Sequence, residues 1–261
     1  PSTARIALMD AYSKLVVEDK KYLEVLEKEF EDPDIFNLKN KLKSDCDPLA
    51  KEVFDGLEKY KINYSPYYAI VLFDGDNMGA CLSGKGHKLK KRFQESLKEF
   101  HLHLSENLGC FAKVSEEKIL IPPRGVTVYA GGDDFLGFVN LNYLFEVLKN
   151  LREQFSEMVD ISEFAEARLT FSAGVAVAHY KTPLKYVLSW ARRMEKEAKN
   201  IDSKKDAFGL ALIKHSGEIT KNVYKWQYDG KWTTDLVSKL IDYINSDFSP
   251  SFIRTLHFEF A

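Results

Sequence analysis

With 261 residues, the chain can bury a sizeable core and exceeds the usual single domain, so one main domain with flanking pieces is expected. Its 37 Lys plus Arg against 39 Asp plus Glu exclude a protein that coats nucleic acid by bulk attraction, so any nucleotide contact must be local. Cys46, Cys81 and Cys110 are odd in number, widely spaced and form no C-x-x-C pair, which points away from zinc and towards a reducing cytoplasm.

Residues 1–62 read as a helical lead-in. Ala7, Leu8, Tyr12, Leu15 and Val16 recur at spacings of three and four, and DPLAKEVFDGLEKY offers Asp47 as cap and Pro48 at the first helical position. The charged stretch 27–43 is expected as a linker or exposed helix ends. Tyr67–Phe73 is an almost wholly apolar, β-prone run, the pattern of a strand buried on both faces, and it stops at DGDNMG. SGKGHK, from Ser83, lacks the Gly-Lys-Ser/Thr of a P-loop and reads as a flexible loop. Over 88–104, Leu89, Phe93, Leu97, Phe100 and Leu104 form one stripe at helical spacing.

GVTVYA and FLGFVNL then read as a hairpin turned at Gly131, Gly132, Asp133 and Asp134. A helix over 143–158 places Leu144, Val147, Leu148, Leu151 and Phe155 on one face, and RLTFSAGVAVAHY follows as a strand. PLKYVLSWARRMEKEAK is a helix with Thr182 as cap and Pro183 at its first position, and AFGLALIKH is a further strand. The order β-α-β-β-α-β over 67–180 predicts an α+β fold of ferredoxin-like type. Three units are expected: 1–62, 63–217, and 218–261, the last with a hairpin at Asp229-Gly230 and a helix near 235–245. No apolar run approaches the roughly 20 residues that cross a bilayer, and no signal-peptide pattern is present. The start at PSTAR, without a methionine, leads us to expect a piece of a longer protein.

The chemistry concentrates in carboxylates. Asp74 and Asp76 stand at the end of the first strand, and Asp133 and Asp134 stand in the hairpin of the next two, so the topology brings them to one edge of the sheet. Each pair alone is an ordinary turn sequence. Together they would repel and raise one another's pKa values unless a cation lay among them. Hard cations such as Mg2+ take one or two carboxylates, water and substrate phosphates, and two ions about 3.5–4 Å apart suit phosphoryl chemistry. Gly131 and Gly132 permit positive φ in the turn and leave room for a ribose or phosphate. Backbone amides of Asn77, Met78 and Gly79 could cradle a triphosphate. Lys199 and Lys205 match either the dipole of a helix end or a phosphate. The six histidines are scattered, and the aromatic residues of 224–232 either stack on bases or pack the small hairpin.

FDGDNMG from Phe73, YAGGDDFLGFV from Tyr129, SAGVAVAHYKTPL from Ser172 and Ala198-Lys199 together resemble one family. It is the polymerase/cyclase palm of the large subunit of type III CRISPR effector complexes, and the likeness is greatest to the III-B form. PSTARIAL is similar to the segment that precedes this palm, and the resemblance extends to about residue 217; beyond it the tail is similar to the start of a carboxy-terminal helical domain. The resemblance implies assembly with other effector subunits and CRISPR RNA, sensing of target RNA, and conversion of ATP to cyclic oligoadenylate with two Mg2+ or Mn2+ ions. Carried over by position, Asp74 and the Gly75 carbonyl hold metal with Asp133 and Asp134. Gly131 and Gly132 border the nucleotide, Lys199 and Lys205 meet phosphates, and Asp76 belongs to the nucleotide-binding set, with Ser172 a candidate adenine reader. The family's His-Asp nuclease domain, its zinc cysteines and its first palm have no counterpart in the 261 residues, so this piece is expected to bind ATP without completing product.

Two other readings remain open. A diguanylate-cyclase-like enzyme would carry Glu where this chain has Asp134, and Asp-x-Asp-x-Phe-Lys where it has Asp74-Gly75-Asp76-Asn77-Met78-Gly79. A scaffold palm would bind nucleotide without catalysis inside a ribonucleoprotein.

Overall fold

In the computed structural model the described residues are 1–40, 46–83, 97–166 and 168–247. The apolar run forms β1 (Tyr67–Gly75), with Tyr68, Ala69, Ile70, Val71 and Phe73 buried, as a strand covered on both faces requires. The hairpin forms β2 (Gly125–Gly131) and β3 (Asp134–Asn140), followed by β4 (Phe171–His179), β5 (Ala207–Ile213) and β6 (Ile219–Lys225). These make one sheet in the order β2-β3-β1-β4-β5-β6. β1 runs antiparallel to β3 and β4, which is the ferredoxin-like arrangement; β5 adds parallel to β4, and β6 antiparallel to β5. The expected α+β fold is therefore present, and its sheet runs on past residue 217 through β6.

One face of the sheet packs beneath α6 (Leu97–Val114) and α7 (Leu144–Met158): Ala69, Val71 and Phe73 meet Phe100, Leu104, Leu148 and Phe155 in one apolar cluster. The other face is covered by the helical lead-in, α1 (Thr3–Glu18), α2 (Lys21–Leu26), α3 (Asp32–Lys39) and α4 (Pro48–Lys59), together with α8 (Leu184–Lys199). Asp47 caps α4 by accepting from the Leu49 amide at 2.7 Å, with Pro48 in the first turn as expected. Asp10 of α1 is buried and accepts from Lys14, Asn142 and Tyr143, which ties the lead-in to the chain after β3.

Several expectations are corrected. The stretch 27–43 contains α3, whose Ile35 and Phe36 are buried and whose Asp32 receives hydrogen bonds from Arg5 and Tyr12. Of the stripe over 88–104, Phe100 and Leu104 are buried as expected whereas Leu97 is exposed, and the buried face of α6 continues through Leu108 and Phe111. Leu89, Phe93 and the loop after Ser83 lie outside the described residues. α8 takes Pro183 rather than Thr182 as its capping residue, because Pro183 keeps an extended ψ of 124° and its carbonyl accepts the first helical amides. The expected small hairpin is β7 (Gln227–Tyr228) and β8 (Lys231–Trp232), turned by Asp229 (φ 49°) and Gly230 (φ 72°), and α9 (Thr233–Asp247) follows. Trp226 is buried and its indole N–H donates to the Phe171 carbonyl at 3.1 Å, so it packs the core.

Two glycines opposite each other, Gly174 on β4 and Gly209 on β5, let α8 press flat on the sheet. A Cβ on Gly174 would stand 1.9 Å from the Ala191 carbonyl oxygen and 2.4 Å from the Glu195 amide. Gly174→Ala should therefore destabilise the chain by roughly 1–3 kcal/mol in urea denaturation; an unchanged midpoint would show that α8 is not seated by this contact.

Candidate metal centre and flanking clefts

The register of β1 places Asp74 opposite Asp134 on β3 and opposite Ser172 on β4. Side chains directly opposite on antiparallel strands have Cβ atoms about 4.5–5.5 Å apart, so Asp74 and Asp134 are neighbours on one face. Next to them the Gly75 amide donates to the Asp133 carbonyl at 3.0 Å, joining the end of β1 to the hairpin turn. Gly131 and Asp134 close that turn as partners, leaving Gly132 and Asp133 as a two-residue loop. Gly132 has φ 64°, the conformation for which glycine is favoured at the first loop position. Gly131 does not share it. A Cβ there would stand 2.5 Å from the Tyr129 hydroxyl, so Gly131 is small because the Tyr129 ring folds back over it.

The second acid of the DGD run occupies a different environment. Asp76 is 3% exposed; it accepts from Thr170 Oγ1 at 2.8 Å, Ser172 Oγ at 2.9 Å and the Asp206 amide at 3.0 Å, while its own amide donates to Thr170 O at 2.8 Å. It thus fastens β1 to the chain entering β4 and β5, with the fully buried Ser172 committed to it. Asp206 in turn accepts from Arg152 at 2.8 Å, and burial pushes its carboxyl pKa up against the pull of that guanidinium. Asn77 is left-handed (φ 58°) and precedes the five-residue α5 (Met78–Leu82). Lys205 also has positive φ (54°), in the loop between α8 and β5.

At the rim itself, burial raises the Asp133 and Asp134 pKa values, and the negative charge of Asp74 raises both further. Lys199, from the end of α8, answers this charge: its ammonium contacts Asp74 and lies 2.8 Å from Glu195 Oε1. Two open clefts flank the acids. One, of about 420 Å3, holds Asp74 and Asp134 with Tyr129, Leu188, Arg192 and Glu195. The other, of about 340 Å3, runs from Asp133 and Gly132 across Met78 and Leu82 to His101 and Gly109 of α6. Among the described residues no three His, Cys, Asp or Glu side chains form a ready-made cage. The donor set is instead a few hard oxygens in mutual repulsion beside a cation, which fits Mg2+ or Mn2+ whose remaining ligands come from water and phosphate.

Sequence reasoning missed Tyr129, Arg192, Glu195 and Gly109. The i, i+4 spacing of Glu195 and Lys199 was a readable signal for one of them. A glycine inside an amphipathic helix was another, since Gly109 costs helix stability and leaves open space where a side chain would stand.

The family model described as Cas10/Cmr2, second palm domain, matches residues 67–209. The CRISPR system Cmr subunit Cmr2 of Pyrococcus furiosus is 30% identical over 209 residues, which are 73% of this chain and 24% of that protein. The chain thus spans about a quarter of the length of this curated relative. A type III-B Cmr-beta cryo-EM structure in the apo state matches with a TM-score of 0.61 and 17% identity, covering 94% of this chain and 39% of the other. A type III-B Cmr-beta structure bound to cognate target RNA matches with a TM-score of 0.55 and 16% identity, over 96% and 40%. At these identities the two structures show a shared fold.

Removing the repulsion should be visible without any ligand. The double change Asp133→Asn and Asp134→Asn should raise the melting temperature of the ion-free chain by roughly 1–3 °C and abolish the further rise that millimolar Mn2+ gives the unmodified chain. A variant that melts no higher and still responds to Mn2+ would contradict the electrostatic account.

Proposed function

The chain belongs to the Cas10/Cmr2 second-palm family, and from that membership we propose that it is the palm segment of the large subunit of a type III CRISPR effector complex. In this reading it binds ATP with Mg2+ or Mn2+ in the cytoplasm and, within the assembled complex on target RNA, contributes a half-site for cyclic oligoadenylate synthesis. The observation that carries the proposal is the meeting of Asp74, Asp133 and Asp134 at one end of the sheet, between two clefts and beside Lys199.

Asp74, the Gly75 carbonyl, Asp133 and Asp134 are the groups that hold two divalent ions, which when bound neutralise phosphate charge and acidify the attacking hydroxyl. Asn77, Met78 and Gly79 offer backbone amides to the phosphates, and Lys199 and Lys205 offer ammonium groups. Gly131 and Gly132 let the nucleotide approach the hairpin backbone. The base enters the cleft over α6, between Met78, Leu82 and Leu108, where Gly109 presents bare helix. Asp76 and Ser172 act from beneath, holding the strand ends that carry the acids. Ser172, buried under the rim, supports the site in this way rather than by reading the base.

The 3′-oxygen of one ATP forms a bond to the α-phosphorus of the next, the bond to pyrophosphate breaks, and the hydroxyl proton leaves with solvent. The contribution of the protein is chiefly positioning and charge. Closing a ring needs a second, facing palm, so the isolated chain binds ATP without releasing product. Other effector subunits, CRISPR RNA and target RNA are its partners; the relative is itself a Cmr subunit, and one fold match is to a complex bound to target RNA.

The test is an assembled complex carrying Asp133→Ala and Asp134→Ala, incubated with ATP and Mn2+ on target RNA. Oligoadenylate output should fall by about 100-fold or more. Undiminished output would remove the acids from the chemistry. Cyclic dinucleotide made from GTP alone would replace the proposal with a diguanylate cyclase, and an unmodified complex that makes neither would leave a scaffold palm.

A further inference from the structure

Lys199 is held in an unusual position for a phosphate-binding lysine. Its side chain is 21% exposed, its ammonium contacts an oxygen of Asp74, and its second partner is Glu195, one helical turn earlier and 18% exposed. The close seating of α8 on Gly174 brings Glu195 to this place. The ammonium thus sits between two carboxylates, one on the strand and one on its own helix.

We propose that Lys199 is a built-in competitor for the divalent-cation site, its ammonium occupying Asp74 until cation and triphosphate arrive together, with Glu195 as its alternative acceptor. The proposal rests on the reading of Asp74 as a cation ligand. The ammonium, resting on one oxygen of Asp74, competes with an ion about 2.0–2.1 Å from that carboxylate for the same negative charge and repels it. Entry of an ion therefore favours departure of the lysine, and a partly buried ammonium needs another acceptor when it leaves. Glu195 supplies one at 2.8 Å and keeps the lysine at the rim, within reach of a phosphate. The ion alone thus binds against Lys199, whereas ion plus triphosphate binds with its help. By linkage each ligand tightens the other. A lysine that served only as a phosphate contact would leave binding of the ion alone untouched.

The experiment is Mn2+ binding to the 261-residue chain without nucleotide, read from the electron paramagnetic resonance of free Mn2+, then repeated with a non-hydrolysable ATP analogue. Lys199→Met and Lys199→Gln, two substitutions of different polarity, guard against a folding defect in either one. Both should bind Mn2+ alone about fivefold more tightly than the unmodified chain, bind the analogue more weakly, and show less coupling between the two ligands. Lys196→Met removes an exposed positive charge from the same helix, outside both clefts, and should change Mn2+ affinity by less than about twofold. Unchanged Mn2+ affinity in the Lys199 variants, or an equal gain in Lys196→Met, would overturn the competitor role. Asp74→Asn separates this failure from a deeper one: if it binds Mn2+ as the unmodified chain does, Asp74 is no ligand and the underlying reading falls as well.

Discussion

Everything at the site depends on the register of β1 between β3 and β4. Asp74 faces Asp134 and Ser172 because the strand is buried on both sides, with Tyr68 and Ile70 in one cluster and Ala69, Val71 and Phe73 in the other. A slip of one residue would exchange these two sets and turn the acid away. Phe73 pins the register, since its ring stacks on Phe171 of β4 at 4.0 Å and on Phe135 of β3 at 4.9 Å between centroids. The core thus fixes the chemistry one residue away: directly after Phe73 comes Asp74, and directly before Phe135 comes Asp134.

The rim combines stabilising and destabilising elements at close range. Asp76 is almost wholly buried but has three donors, and so it joins β1 to the approaches of β4 and β5. Asp74, Asp133 and Asp134 instead repel one another, with Lys199 offering partial relief. Residues arranged against local stability in this way are characteristic of functional sites. The support comes from the surrounding layers: the lead-in helices cover one face, α6 and α7 cover the other, and α8 delivers Glu195 and Lys199 to the edge.

Much of this was legible in the sequence because periodicity reports burial. The continuous apolar run of β1, the face of α7 and the cap at Asp47 each have a local cause and appear where expected. The convergence of the acids followed from the β-α-β-β order. Part of what failed to show had nonlocal causes. α3 is short, and its burial depends on Arg5 and Tyr12 of α1 reaching Asp32. The DGD spacing cannot tell a half-buried Asp74 from a buried Asp76, since the difference is made by Thr170, Ser172 and Asp206 nearly 100 residues or more away. Gly131 looked like a turn residue and is small for a side chain two positions earlier. Glu195 carried a local signal in its i, i+4 spacing from Lys199, but shared that spacing with other charged pairs of the same helix, such as Arg193 and Glu197.

The central claim is that the paired acids at the ends of β1 and the hairpin hold divalent cations. Anomalous scattering from a crystal of the chain soaked with Mn2+ and ATP tests it most directly. The account requires a peak within ligand distance of Asp74 and of Asp133 or Asp134, with Lys199 moved off Asp74. Bound ATP with no peak at these carboxylates, and Lys199 still resting on Asp74, would contradict it.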